Sequence, residues 1–193
     1  MVRRYDPAVP VSAAALERIL DAGVRVPSAG FTQGVSLLVL EGPDVERYWT
    51  LTTDPTAEPD RWLHGMRTAP VLVLVWTSPS AYLDRYARPD KGWTDRDPAR
   101  WTAPYWHVDA GMSVLAMLYA AVDAGLGACF FGVPPDRIAV LRTAHGVPDG
   151  QELVGVVSLG APDESTTRSR RERRSTDEFV HRGHWRRTSH PNS

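Results

Sequence analysis

Cysteine, long apolar runs and excess charge are all scarce in this chain of 193 residues. The one cysteine, Cys129, sits in the apolar run Ala128-Cys129-Phe130-Phe131, which excludes an intrachain disulfide and a cysteine metal cluster and predicts a buried, inert thiol. The uncharged, mostly apolar stretch Ala110 to Val122 has 13 residues between Asp109 and Asp123, and the longest uncharged stretch, Thr68 to Leu83, has 16; both are too few to cross a bilayer. The opening Met1-Val2-Arg3-Arg4-Tyr5-Asp6-Pro7 has no apolar segment of the kind a signal peptide needs. A reducing, cytoplasmic setting is the expectation. With 22 basic and 23 acidic side chains the formal net charge is −1, which argues against nucleic acid or an anionic membrane surface as partner. His-Glu-x-x-His, Gly-x-Ser-x-Gly and a phosphate loop ending in Gly-Lys-Ser/Thr are missing, and Gly125-Leu126-Gly127 lacks the third glycine of a dinucleotide fingerprint.

What is present suits one globular domain: 42% of residues are hydrophobic, enough for a core at this length. Charge is unevenly spread. Met1 to Glu164 carries 14 basic against 20 acidic residues (−6), whereas Ser165 to Arg187 carries 8 arginines against 3 acids (+5). An acidic body with an arginine-rich arm is therefore expected. The domain is read as residues 1–187, with an irregular insert at 88–104, an arm at 163–187 and a disordered tail at 188–193.

Ser12 reads as an N-cap, and Leu16, Ile19, Leu20, Gly23 and Val24 share one helical face, so a first helix runs to about Arg25 before Pro27. Val35 to Leu40 and Pro70 to Trp76 are apolar runs expected for buried strands. Pro43 and Ser78-Pro79 start helices carrying Val45, Tyr48 and Trp49, and Tyr82, Leu83 and Tyr86. Arg88 to Pro104 turns to Pro, Asp, Arg, Gly and Trp, the composition of a lid or loop. Val108 to Gly125 is apolar nearly all round and predicts a central buried helix, with Asp109 and Asp123 near its ends. Strands at Ala128–Val133 and Leu153–Leu159 bracket a helix at Pro135–Ala144, and Thr176 to His181 is a candidate last strand. Alternating helices and strands indicate an α/β or α+β sandwich.

Pro27-Ser28-Ala29-Gly30-Phe31-Thr32-Gln33 lies between the first helix and first strand, where small residues let backbone amides approach a flat ligand. An ordinary turn is the alternative. Trp93, Trp101, Tyr105 and Trp106 crowd the irregular segment; they either stack on a planar ligand or cap the sheet. His181 and His184 have the spacing of a metal pair but no neighbouring ligands, so no metal is expected.

The spaced series Arg3-Arg4-Tyr5-Asp6, Pro27 to Gln33, Asp123 to Gly132, Val156 to Pro162 and Arg171-Glu172-Arg173-Arg174 resembles the nitroreductase family of flavoenzymes. The resemblance covers the chain outside Arg88–Pro104. It implies an α+β fold, a three-layer α/β/α sandwich with a central mixed sheet and a long buried helix. It also implies an intertwined homodimer with the C-terminal extension exchanged and FMN at the interface. NAD(P)H would reduce the flavin, and a nitroaromatic, quinone or similar small acceptor would reoxidise it. Residue by residue, it implies that Arg3, with Arg4 beside it, Arg171 and Arg173 hold the FMN phosphate. Ser28, Ala29, Gly30 and Gln33 would contact the ribityl chain and ring edge. Phe130, Phe131 and Gly132 would lie on the other ring face, with a backbone amide near Gly132 aimed at N5, where a donor stabilises the charge of reduced flavin. His64, with Arg61 and Arg67, falls where a cation often approaches the ring, and Trp93, Trp101 and Tyr105 would line the substrate side.

Family members usually carry residues before Arg3 that include another phosphate arginine, and Phe31 and Gly132 stand where many have asparagine and some have glutamate. A non-catalytic flavin or deazaflavin binder of the same fold is the rival reading. The plain alternatives are a solvated charge run at Arg168–Arg174, core aromatics at Phe130 and Phe131, and surface histidines at His64 and His107.

Overall fold

Strand β2 (Val71–Thr77) organises the molecule, because all seven of its residues are buried and both of its faces are covered by helices. The computed structural model describes residues 1–163 and 173–185. Four strands form one sheet in the order β1-β2-β4-β3, with β1 at Val35–Glu41, β3 at Gly127–Phe131 and β4 at Glu152–Gly160. Odd-numbered residues of β2 (Val71, Val73, Val75) pack with Leu16, Ile19, Val114 and Met117. These belong to helices α1 (Ala13–Val24) and α5 (Tyr105–Asp123). Even-numbered Leu72, Leu74 and Trp76 pack with Val45, Tyr48, Trp49, Met66 and Leu141. These come from α2 (Pro43–Thr52), α3 (Arg61–Met66) and α6 (Pro135–Ala144). The period-2 alternation of a strand thus divides one apolar run between two cores. Each fully buried large side chain contributes roughly 1.5–3 kcal/mol. The expected three-layer α+β sandwich is the observed one.

Every neighbouring pair of the four strands is antiparallel, where a mixed sheet was expected. The connections explain the difference. β1 to β2 and β3 to β4 each re-enter the sheet at the end they left, so those neighbours oppose. The chain crosses the sheet between β2 and β3, which do run parallel, but β4 lies between them.

Four further expectations change. Helix α5 is not buried all round: Val108, Leu115, Tyr119 and Val122 are exposed and recur at helical spacing on one face. Asp109 does not mark the end of that helix but lies inside it, 2% exposed, because the helix begins at Tyr105. Helix α3 is an additional element, capped by Asp60, whose Oδ1 accepts from the Leu63 N–H at 2.7 Å. Thr176 to His181 is no strand: Thr176–Glu178 forms a 3-10 turn, and the Glu178 carboxylate accepts from the Ser175 N–H at 3.0 Å.

The chain divides into two compact units, Met1–Asp163 and Glu164–Ser193. In the second, the Arg174 guanidinium lies 4.0 Å from the Phe179 ring centre, and His181 stacks on Trp185 at 4.2 Å.

Candidate functional site

The loop before β1 is preformed. Ser28 Oγ accepts from the Gln33 N–H at 3.0 Å, and Thr32 Oγ1 donates to the Ala29 carbonyl at 2.5 Å. Gly30, Phe31 and Gln33 all have φ between 54° and 61°, the left-handed region. Glycine suits the first position on two counts, since a Cβ at Gly30 would also stand 2.7 Å from the Tyr86 ring. Phe31 and Gln33 bear the strain of side chains there, of order 1–2 kcal/mol each.

Two helices hold that strained shape. Asp109 Oδ2, buried at the start of α5, accepts from the Ala29 N–H and from the Tyr82 hydroxyl, both at 2.8 Å. Tyr82 lies on α4 (Pro79–Tyr86), and burial beside that carboxylate pushes its phenol pKa up, keeping it a donor. From the same helix Arg85 Nε donates to the Gly30 carbonyl at 2.7 Å, while its terminal nitrogens hold Asp90 in a bidentate pair at 2.7 and 2.9 Å. Sequence reasoning missed Asp109 because its partners lie 80 and 27 residues away.

A second cluster forms where the N-terminal segment meets β3. The Val2 N–H donates to the Ala128 carbonyl at 2.9 Å, and the Tyr5 N–H to Thr68 Oγ1 at 2.8 Å. Tyr5 is 1% exposed; its hydroxyl lies 2.7 Å from Ser158 Oγ and donates to the Val2 carbonyl at 3.0 Å. Burial pushes its pKa up. These anchors leave Arg3 and Arg4 exposed at their side chains. Arg3 reaches Cys129, whose thiol burial pushes up while the guanidinium pulls it down, and Arg4 pairs with Asp163 at 2.9 Å. Helix α3 closes on the same segment, since a side chain at Gly65 would collide with the Arg3 carbonyl oxygen. His64 and Arg61 are exposed on that helix, and Arg67 bonds Thr53 Oγ1 at 3.0 Å.

Phe130 and Phe131 point to opposite faces of the sheet. Phe131 stacks on Trp49 (5.9 Å, 8°) and meets Trp62 edge-on, while Phe130 packs against Gly155 and the α1/α5 core. Gly132 is exposed, and a Cβ there would meet nothing within 4 Å.

The candidate residues therefore fall into two groups. Arg3, Arg4, His64 and Phe130–Gly132 gather on the β3 side; Ser28, Ala29, Gly30 and Gln33 sit before β1. Registers Val35↔Thr77, Thr77↔Glu152 and Phe131↔Val156 put the loop and Gly132 toward one end of the sheet but on opposite edges. Three strand spacings separate those edges, about 14 Å. The aromatics of the insert go with the loop: Trp93 and Trp101 pack on Tyr86, and Tyr105 and Trp106 pack on Trp101. They form a cap in which rings face rings, although the buried Trp101 indole N–H has no partner among the described residues. Arg173 is exposed in the second unit, and Arg171 lies outside the described residues.

The surfaces have the chemistry a flavin nucleotide requires. Exposed guanidiniums suit a phosphate, and the space beside Gly132 is open, while the N–H groups of Ala29, Phe31, Thr32 and Gln33 are already bonded within the chain and give the loop a fixed shape. Among the described residues no helix is long and apolar enough to cross a membrane, and no group of three or more His, Cys, Asp or Glu could hold a metal.

Comparison with known proteins agrees with this reading of the fold. A crystal structure from Desulfovibrio desulfuricans, described as a "putative nitroreductase in complex with FMN", superposes with a TM-score of 0.69 at 25% identity, covering 95% of this chain and 91% of that one. An Escherichia coli K12 protein named "Putative NAD(P)H nitroreductase YdjA" is 27% identical over 151 residues, 76% of this chain and 75% of that one. A "Putative NADH dehydrogenase/NAD(P)H nitroreductase" of Archaeoglobus fulgidus is 31% identical over 93 residues, 46% of this chain, which spans about half (53%) of that relative. The model of the nitroreductase family matches residues 1–161, and the chain belongs to that family.

Proposed function

We propose that this protein is an FMN-dependent oxidoreductase that passes hydride from NAD(P)H to a small oxidised acceptor, such as a nitroaromatic or quinone, and works in the cytoplasm as a homodimer. The observation that carries the reading is the nitroreductase family match over residues 1–161, and the division of the candidate residues between opposite edges of one sheet carries its homodimer part. One FMN contacting both groups draws Arg3 and Gly132 from one chain and the Ser28–Gln33 loop from the other. The apolar stripe of α5 (Val108, Leu115, Tyr119, Val122) gives two copies a surface to share, since exposed large apolar side chains at helical spacing are costly in water.

FMN, when bound, supplies the two-electron chemistry that no side chain can perform. The chain's own groups position it and tune it. Arg3 and Arg4 face the phosphate, and the same reading gives that role to Arg171 and Arg173. Ser28 to Gln33 fixes the ring edge through a loop whose shape Asp109 and Arg85 have already imposed, so little ordering remains to be done on binding. The exposed backbone around Gly132 offers an amide donor where reduced flavin gathers negative charge. Cys129, buried and held up in pKa, takes no part.

The test is the visible spectrum and mass of any small molecule released by heating purified protein, followed by NAD(P)H oxidation with menadione or nitrofurazone. Bound FMN with acceptor-dependent turnover is expected. Colourless protein whose melting temperature does not respond to FMN would overturn the proposal, and bound flavin that NAD(P)H cannot reduce would favour the storage reading.

A further inference from the structure

We infer that the cleft between the Gly30–Gln33 loop and helix α4 binds the anionic end of a planar substrate, with Arg88 as its cation and Phe31 as its stacking face. The inference rests on the oxidoreductase reading for what that substrate does, but not for the existence of the site.

The cleft, about 690 Å³ and open to solvent along one side, shares its loop wall with the proposed flavin edge. Four charged side chains line it, and three are already engaged. Asp84 pairs with Arg96 at 2.7 Å, and Arg85 and Asp90 pair with each other at 2.7 Å. Arg88 has no ion partner among the described residues. Its backbone is nevertheless fixed, because its carbonyl accepts from the N–H groups of Lys91 (2.9 Å) and Gly92 (2.8 Å). A surplus cation on an anchored backbone, beside charges that cancel each other, suits a carboxylate or phosphate.

Phe31 supplies the second half. It is 76% exposed, although its backbone is held in the left-handed region at φ 55°. An aromatic ring in water on a strained backbone does nothing for folding, and the loop's hydrogen bonds hold it there at a cost. A flat ligand covering that ring would recover the exposed area and add a stacking contact.

The anion has two possible sources, the acceptor or the phosphate of a pyridine nucleotide, and calorimetry on the purified full chain separates them. Wild type should bind 4-nitrobenzoate more tightly than nitrobenzene. Arg88→Ala should weaken 4-nitrobenzoate about ten-fold and nitrobenzene not at all, Arg88→Lys should recover part of the loss, and Phe31→Ala should weaken both a few-fold. If Arg88→Ala instead lowers affinity for NADPH and spares NADH and 4-nitrobenzoate, the anion is the nucleotide's phosphate and the site stands. If Arg88→Ala affects no anionic ligand, or affects charged and neutral ligands equally, the inference is overturned. Because binding is read without turnover, colourless protein that still shows the Arg88 effect would sink the oxidoreductase reading alone, and flavin-loaded, active protein without it would sink the cleft alone.

Discussion

The two halves of the candidate site are held by different means. The Ser28–Gln33 loop depends on side chains from distant helices, with a buried carboxylate and a guanidinium reaching in from α5 and α4. The Arg3 segment depends on backbone pairing with β3 and on one phenol sunk in the core. The first is a strained shape under clamp, and the second is a short extension of the sheet. Clamped loops should fail at a single side chain, whereas a segment tied by backbone bonds should lose function by degrees.

Asp109→Ala should therefore have the largest effect. It leaves the Ala29 N–H and the Tyr82 hydroxyl without their acceptor, at a cost of about 3–4 kcal/mol or a melting temperature lowered by roughly 10 °C, with the cleft's ligand binding lost. Asp109→Asn, which keeps an acceptor, should do much less. Gly65→Ala is the corresponding attack on the other half. The added methyl runs into the Arg3 carbonyl, so denaturant melts should show a loss of about 2 kcal/mol, with FMN retention impaired and 4-nitrobenzoate binding intact. Tyr5→Phe should cost about 1–1.5 kcal/mol by the same assay. Phe31→Gly should move stability the other way, by up to about 1 kcal/mol, because it relieves the left-handed backbone. The smallest effect is that of acid. Arg85 holds the Asp90 carboxyl below the usual carboxylate range, so the pair contributes fully above that range and its contribution fades as pH falls through the lowered value. Hydrogen exchange should then report loosening at Gly30–Gln33 below about pH 4, before the β3 side opens.

Much of this was legible in the chain. Apolar runs located β1 and β2, and Ser12, Pro43 and Ser78-Pro79 located the starts of α1, α2 and α4, because caps and burial act locally. The same locality explains the failures. The apolar face of α5 has one pattern whether core or another molecule covers it, so Leu115 and Val122 read as buried. Asp109 looked like a helix end because the carboxylate's partners come from elsewhere in the chain. Two of the differences have signals in the sequence. Asp60 followed by Trp62, Leu63 and Met66 marks α3, and Ser175-x-x-Glu178 marks a helical turn where a strand was expected. Strand alternation sends Phe130 and Phe131 to opposite cores, leaving Gly132 as the part of that motif open to a ligand.

The separation of the halves across one sheet has a genetic consequence. On the proposed pairing, a chain crippled at Arg3 and a chain crippled at Asp109 each make homodimers with two broken sites. A mixed dimer brings the intact β3 side of one allele to the intact loop of the other. Two inactive alleles expressed together should then restore about a quarter of the sites, whereas two alleles damaged in the same half should restore none.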